Sequence, residues 1–119
     1  MLSSKDVSAV RFLRLPVRLY GCAVTVVVNH LHLSDALTAE TEQSCRDIVP
    51  RIRDAGATAA RVVRVDDTHL VLILEFASAE DADRVATDVG GPWMRERILP
   101  LLARGPERSI GEVIASATV

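Results

Sequence analysis

The sequence has little of the chemistry on which several protein classes depend. Of its 119 residues only Cys22 and Cys45 are cysteines, which are too few and too far apart for a disulfide framework or a cysteine-based metal site. The longest largely apolar run, Cys22–Val28, is far short of a bilayer span. The N-terminus carries Lys5 and Asp6 and lacks the long apolar segment of a signal peptide. We therefore expect a cytoplasmic protein with no membrane partner.

Other signatures are missing too. The net charge of -2 gives no reason to expect nucleic acid as a partner. The chain has no G-x-S-x-G, P-loop or dinucleotide fingerprint. His30 and His32 have a spacing that metal pairs sometimes use, while His69 falls at a predicted turn, and no carboxylate or cysteine stands at a convincing spacing for a third ligand. We expect no metal site.

What the sequence does have is a central apolar stretch, HLVLILEF, at residues 69–76. It lacks the polar alternation of a half-solvated strand, which predicts a strand with both faces covered. Ser78 follows, three residues before Asp81, at the spacing of a capped helix start. We predict that this helix ends at Gly90-Gly91, where two glycines precede a proline.

A long β-branched strand is predicted upstream, at residues 22–33. One of its faces carries Val26, Val28 and neighbouring residues of the same parity, and we expect this apolar face to meet helices. The other face carries Thr25 and Asn29. A mixed face of this kind suits a cavity.

The remaining elements complete the order β-α-β-β-α-β. A helix is predicted from Ser34 or Thr38 to Gly56, with a kink at Pro50. Three further strands are predicted, at residues 57–65, 70–76 and 110–115. This order predicts an α+β, ferredoxin-like fold, with a four-stranded antiparallel sheet and helices on one face only.

The domain organisation follows from the same pattern. Residues 1–20 form an N-terminal arm, either a short helix that packs on a partner or a partly ordered terminus, and residues 21–119 form one domain. Because helices cover one face, we expect a second copy to cover the other, giving a homodimeric α+β barrel. The apolar residues that this copy is predicted to cover are Leu70, Leu72, Leu74 and Phe76.

In this order and pattern the chain resembles the antibiotic-biosynthesis-monooxygenase-like family of dimeric α+β barrels. The similarity lies in GATAARVVR (56–64), LVLILEFASAED (70–81) and GPWM (91–94), within a match over residues 22–115. The resemblance implies a ligand cavity in each half of the barrel. It also implies one of the family's activities, which include cofactor-independent oxidation of quinol-like polyketides and, in a related branch, haem degradation.

The haem-degrading branch uses an asparagine late in its first strand, a tryptophan late in its third strand and a haem-ligating histidine on the next helix. Asn29 matches the first of these positions. Phe76 and Arg97 stand at the other two. Two of the three residues differ from the branch's pattern, so we expect no haem and no other cofactor.

The resemblance therefore indicates a site for a flat hydrophobic metabolite. Asn29 and Arg97 are the candidate catalytic residues, because an amide and a guanidinium can stabilise a substrate anion. The alternatives without a catalytic role are that Asn29 is a strand-end amide satisfied by the backbone and that Arg97 is a surface arginine. The candidate ligand-binding residues are Phe76, Trp93, Thr25 and Leu72, with Trp93 alternatively a core or interface anchor.

Three functions remain open at this level. The first is a small monooxygenase-like enzyme acting on an aromatic or polyketide-like compound. The second is a non-catalytic module that binds a ligand in the same cavity. The third is a structural dimer whose barrel is filled by side chains.

Overall fold

The structure, a computed structural model, describes residues 24–117. The predicted N-terminal arm, residues 1–20, lies outside this part of the chain. Thr25–Gly111 forms one compact unit, while Val24 and residues 112–117 belong to another. The elements are strands β1 (Thr25–His32), β2 (Ala59–Asp66), β3 (His69–Phe76) and β4 (Glu107–Glu112) and helices α1 (Ala39–Ala55) and α2 (Ala79–Val85).

These elements build the predicted fold. The four strands form one antiparallel sheet in the order β2-β3-β1-β4, so β3 and β1 are central and β2 and β4 are edges. β3 pairs antiparallel with both β1 and β2. The α+β, ferredoxin-like prediction is confirmed. No helix among residues 24–117 is long and apolar enough to cross a membrane.

α1 begins and ends where its sequence signals predict. The side chain of Thr38 accepts a hydrogen bond from the Thr41 N–H at 3.1 Å, which satisfies a free donor of the first turn. Gly56 ends the helix with φ 140°, a conformation that favours glycine, and a Cβ there would lie 2.7 Å from the Arg84 guanidinium. Pro50 lies within the helix without ending it.

The two faces of the sheet are the reverse of our prediction. Four of the five buried residues of β3 face the helices, packed in one core with Val27 and Leu31 of β1 and with Ile48 and Ile52 of α1; the fifth, Val71, lies on the open face. The four that face the helices are Leu70, Leu72, Leu74 and Phe76. The valine face that was expected to meet the helices is the open one. Because β3 is apolar on both sides, its alternation did not distinguish the two faces.

The helix after β3 begins as predicted but does not end as predicted. Ser78 caps α2 by accepting a hydrogen bond from the Asp81 N–H at 3.1 Å. The chain then stays helical across Gly90 and Gly91 through four short pieces that together we name the distal helical segment. These are the π turn Ala86–Gly90, the α turn Gly91–Trp93, the π turn Met94–Ile98 and the 3₁₀ turn Leu99–Leu101.

The widened turns explain how glycine and proline are accommodated. Pro92 has no N–H to donate, and the Gly91 N–H donates to the Ala86 carbonyl, one residue beyond the α-helical partner. A Cβ on Gly91 would lie 2.7 Å from that carbonyl oxygen, so the close approach requires glycine. The glycine pair therefore widens the helix instead of ending it.

Candidate functional site

A cavity lies between the helix-covered face of the sheet and the helices, all within the unit Thr25–Gly111. Its volume is about 160 Å³. The lining comes from both central strands, both helices, the distal helical segment and the start of β4: Val27, Asn29, Leu72, Leu74, Phe76, Ile52, Ala82, Val85, Ala86, Gly90, Gly91, Met94, Pro106 and Arg108. The walls are almost entirely apolar, which suits a hydrophobic ligand.

Asn29 is the one buried polar residue of this lining. It lies on β1 opposite Leu72 of β3 and is 7% exposed. Its Oδ1 is buried and accepts no hydrogen bond from any residue in the described part of the chain. An unsatisfied buried acceptor costs about 1–3 kcal/mol, so this cavity-lining residue carries a free acceptor at a cost to stability.

Arg108 is the one charged residue of the lining. It is exposed and lies on β4, the strand next to β1 in the sheet. A guanidinium stays charged at any physiological pH and offers several donors in one plane. The cavity thus combines apolar walls with one buried amide and one cation at its rim.

The sequence did not single out Arg108. β4 was predicted at residues 110–115, whereas it spans Glu107–Glu112. All six of its residues are exposed, so no apolar alternation marks its inward side. The predicted topology does contain a relevant signal, because in this fold the last strand lies next to the first in the sheet.

The predicted site residues divide into three groups in the structure. Asn29, Phe76 and Leu72 line the cavity. Thr25, which pairs with Phe76, and Trp93, which belongs to the core, are buried but are not part of the lining. Arg97 is exposed on the distal helical segment and does not line this cavity. The roles of all six remain predictions.

A second, larger pocket of about 360 Å³ is lined by residues of α1 and of the helix-covered face of β2, together with Leu37 and Leu70. Its charged residues satisfy one another: Glu42 hydrogen-bonds Arg46 and lies 3.7 Å from Arg64. The hydrogen bond from Arg46 lowers the pKa of Glu42, and burial raises the pKa of the Cys45 thiol, which favours its neutral form. Because its polar groups are already paired, this pocket is a weaker candidate than the smaller one.

Across residues 24–117 no three or more histidine, cysteine or carboxylate side chains are placed to hold one metal ion. The three histidines instead lie together on the open face of the sheet, away from the cavity-lining residues.

Comparisons with known proteins agree with this fold. No protein-family model matches the sequence, and no curated protein matches it. Among solved structures, a candidate antibiotic biosynthesis monooxygenase from Nitrosomonas europaea shares 14% identity, with 77% of this chain and 91% of that chain covered, at a TM-score of 0.69. A variant of SnoaB, a cofactor-independent oxygenase from Streptomyces nogalater, shares 15% identity, with 79% of this chain and 96% of that chain covered, at a TM-score of 0.66.

A dimeric ferredoxin-like protein from an uncultured marine organism is also similar, with 12% identity over 83% of this chain and 95% of that chain, at a TM-score of 0.61. At such identities the likeness concerns the fold. The chain therefore has the ferredoxin-like α+β fold seen in antibiotic-biosynthesis-monooxygenase-like proteins, as the resemblance in sequence pattern predicted.

Proposed function

We propose that this chain is a cofactor-independent monooxygenase-like enzyme that binds a small, flat, electron-rich aromatic compound in the cavity beside Asn29. The observation that carries the proposal is the free, buried Oδ1 of Asn29 in an otherwise apolar cavity. An apolar residue in this position would avoid the cost of an unsatisfied acceptor. Asn29 therefore fits a ligand that supplies a hydrogen-bond donor.

The cavity's size limits the ligand. Its volume of about 160 Å³ is close to the roughly 150 Å³ of an apolar protein cavity that holds benzene. A compound with one aromatic ring fits this space, while a fused polyketide would require the exposed rim near Pro106 and Arg108 to open. We therefore favour a single-ring member of the aromatic class.

The two polar residues favour a particular pattern of oxygens on that ring. A ligand hydroxyl donates to Asn29 Oδ1, and an ionised ligand oxygen is stabilised by the Arg108 guanidinium. Both groups together match the mono-anion of a dihydroxyaromatic compound. Since the described lining includes no carboxylate or imidazole to act as a base, the substrate is best one that ionises unaided near neutral pH.

An anion of this kind can reduce oxygen without a cofactor, because the substrate itself supplies all the electrons. For the parent compound, hydroquinone and O₂ give hydroxybenzoquinone and water. One oxygen atom enters the ring, the other leaves as water, and the ring loses four electrons. The protein's part is to bind the ring, stabilise its anion and exclude water from the apolar walls.

We propose in addition that the protein is a homodimer, in which a second copy covers the open face of the sheet. This face carries Val26 and Val28 of β1, Val71 and Ile73 of β3, and Val63 of β2. A half-exposed apolar patch of this kind favours a partner surface. A similar solved structure is named as a dimeric ferredoxin-like protein, which supports the same assembly.

The test of the cavity uses nitrohydroquinone, an acidic single-ring probe with two hydroxyl groups. Binding is measured by isothermal titration calorimetry and turnover by oxygen consumption. We expect Asn29→Ala and Arg108→Gln each to weaken binding by about ten-fold or more, because each removes a hydrogen bond involving a charged or buried group. The control Arg51→Gln, an exposed arginine on α1, is expected to bind as the wild type does.

Three further results decide between the alternatives. Asn29→Leu should keep or raise the free energy of unfolding while losing the probe, which a purely structural amide would not do. Loss of binding in Arg97→Gln but not in Arg108→Gln would contradict our choice of arginine. Binding without oxygen consumption would favour the non-catalytic ligand-binding module, and no binding by any such ring compound would favour a filled barrel.

A further inference from the structure

The chain's three histidines gather at one place on the open face of the sheet. His32 of β1 lies directly opposite His69 of β3, and their rings stack with centroids 4.4 Å apart. His30, two residues earlier on β1, forms a hydrogen bond between its Nδ1 and His69 Nε2 at 3.0 Å. Every imidazole of the protein therefore belongs to one cluster, which we name the histidine cluster.

The hydrogen bond between His30 and His69 limits how many protons the histidine cluster can hold. In the neutral pair one nitrogen donates and the other accepts. A single added proton leaves a lone pair for the bond to use. A second added proton makes both nitrogens donors, so the bond is lost and two like charges face each other across about the same short distance.

The charged groups around the histidine cluster compensate only part of this. Glu107 of β4 lies 3.6 Å from His32 Nε2 and also pairs with Arg104. Asp66 of β2 lies opposite His69, and it is held chiefly by the Thr68 backbone N–H, which lowers its pKa. Two further charged residues, Arg61 of β2 and Glu75 of β3, lie farther along the same face.

Covering this face with another protein removes water from the imidazoles. A charged imidazolium loses much more on desolvation than a neutral imidazole does. The neutral ring is a flat, half-apolar group that packs well beside Val28 and Val71, the neighbours of His30 on the open face. The neutral cluster is thus compatible with a buried interface, and the charged cluster opposes one.

We propose that the open sheet face is a proton-sensitive interface: a second copy of this chain binds it when the histidine cluster is neutral and leaves it when the cluster is protonated. This inference rests on the homodimer proposed above. It assigns to all three histidines a role that the cavity does not require. It also makes the state of the assembly depend on pH in the range where imidazoles titrate, about pH 5–8.

Linkage fixes the sign and size of the effect. If association releases protons from the histidine cluster, the dimer Kd falls as pH rises and grows as pH falls. Each proton released changes Kd by up to about ten-fold per pH unit within the range where the imidazoles titrate. Carboxylates titrate mainly below this range, so they contribute little between pH 5.5 and 8.

The experiment measures the dimer Kd of the full chain by sedimentation equilibrium at pH 8, 7, 6 and 5.5. For the wild type we expect Kd to rise by at least ten-fold from pH 8 to pH 5.5. The variant His30→Gln/His32→Gln/His69→Gln keeps polar, neutral side chains and should associate with a Kd that does not change over this range. The control is Gln43→His, which adds an imidazole on the exposed side of α1 and should behave as the wild type does.

A second measurement needs no variant. Dilution calorimetry of the wild-type dimer at pH 6.5, in buffers of different ionisation enthalpy, counts the protons taken up on dissociation, and we expect at least half a proton per dimer. A dimer with no proton uptake and a constant Kd would overturn the inference while leaving the homodimer standing. A monomer at every pH would overturn both, and probe binding in the cavity is measured separately from either result.

Discussion

The two faces of the sheet differ although the same strands build both. On the helix-covered face, β1 and β3 contribute eight buried residues in four opposed pairs: Thr25 with Phe76, Val27 with Leu74, Asn29 with Leu72 and Leu31 with Leu70. On the open face the same strands contribute valines, an isoleucine, the histidines and Glu75, and most of these are half-buried. One face is covered by the helices of the same chain, whereas the described residues leave the other open.

This difference separates the roles of polar residues on the two faces. A polar group on the covered face is shielded from water, so the unpaired Oδ1 of Asn29 lowers the stability of the fold. A ligand that donates a hydrogen bond to it would offset this cost. A polar group on the open face keeps its water until a partner arrives. Burial of the histidines under the proposed partner would disfavour their charged form. The covered face is suited to recognition of a ligand, and the open face to conditional association.

The largest expected effect is a loss of stability caused by a substitution on the covered face. Phe76, 1% exposed, packs in the core, and Phe76→Ala should lower the free energy of unfolding by about 3–5 kcal/mol through lost burial and a new cavity. Ile73→Ala, on the opposite face of the same strand, should cost roughly 1 kcal/mol in the monomer. Urea unfolding at low protein concentration measures both. Equal losses would mean that the two faces are not distinct.

The next largest effect is a weaker dimer, caused by a substitution on the open face. Ile73→Lys places a charge directly opposite Val28 on the open face, and burying that charge under a second copy is costly. We expect the dimer Kd to rise by about 100-fold or more, measured by sedimentation equilibrium at pH 8. Gln43→Lys, on the exposed side of α1, is the matched control and should leave Kd unchanged. An undisturbed dimer in Ile73→Lys would show that the open face is not the interface.

Much of the fold was readable because its signals are local. Thr38, Ser78 and Gly56 satisfy the free backbone groups of helix ends, and each acts where it stands in the sequence. The order of the elements then predicts the ferredoxin-like topology. The end of the second helix was missed because glycine and proline usually stop a helix. Here the π turns at Ala86–Gly90 and Met94–Ile98 carry the chain onward.

The site was only half readable for a different reason. Asn29, Phe76 and Leu72 lie on central strands, where period-two alternation places all three on one face. Which face meets the helices depends on packing between distant segments, and β3 is apolar on both sides. Arg108 and the meeting of three histidines depend on strand register, which a single sequence does not specify.

The smallest expected effect concerns the edge where the covered face ends. Glu42 of α1 bonds Arg46 and approaches Arg64 of β2, and these contacts hold the pKa of this exposed carboxyl below its usual range. A lowered folded-state pKa adds stability above the unfolded-state pKa of about 4.3 and loses it as the pH falls further. Glu42→Gln should therefore lower the urea midpoint slightly at pH 7, and by less as the pH falls below about 4. Glu40→Gln, which removes a charge from the same first turn without a described ion pair, should show less of this pH dependence; equal behaviour of the two variants would assign the effect to the helix dipole alone.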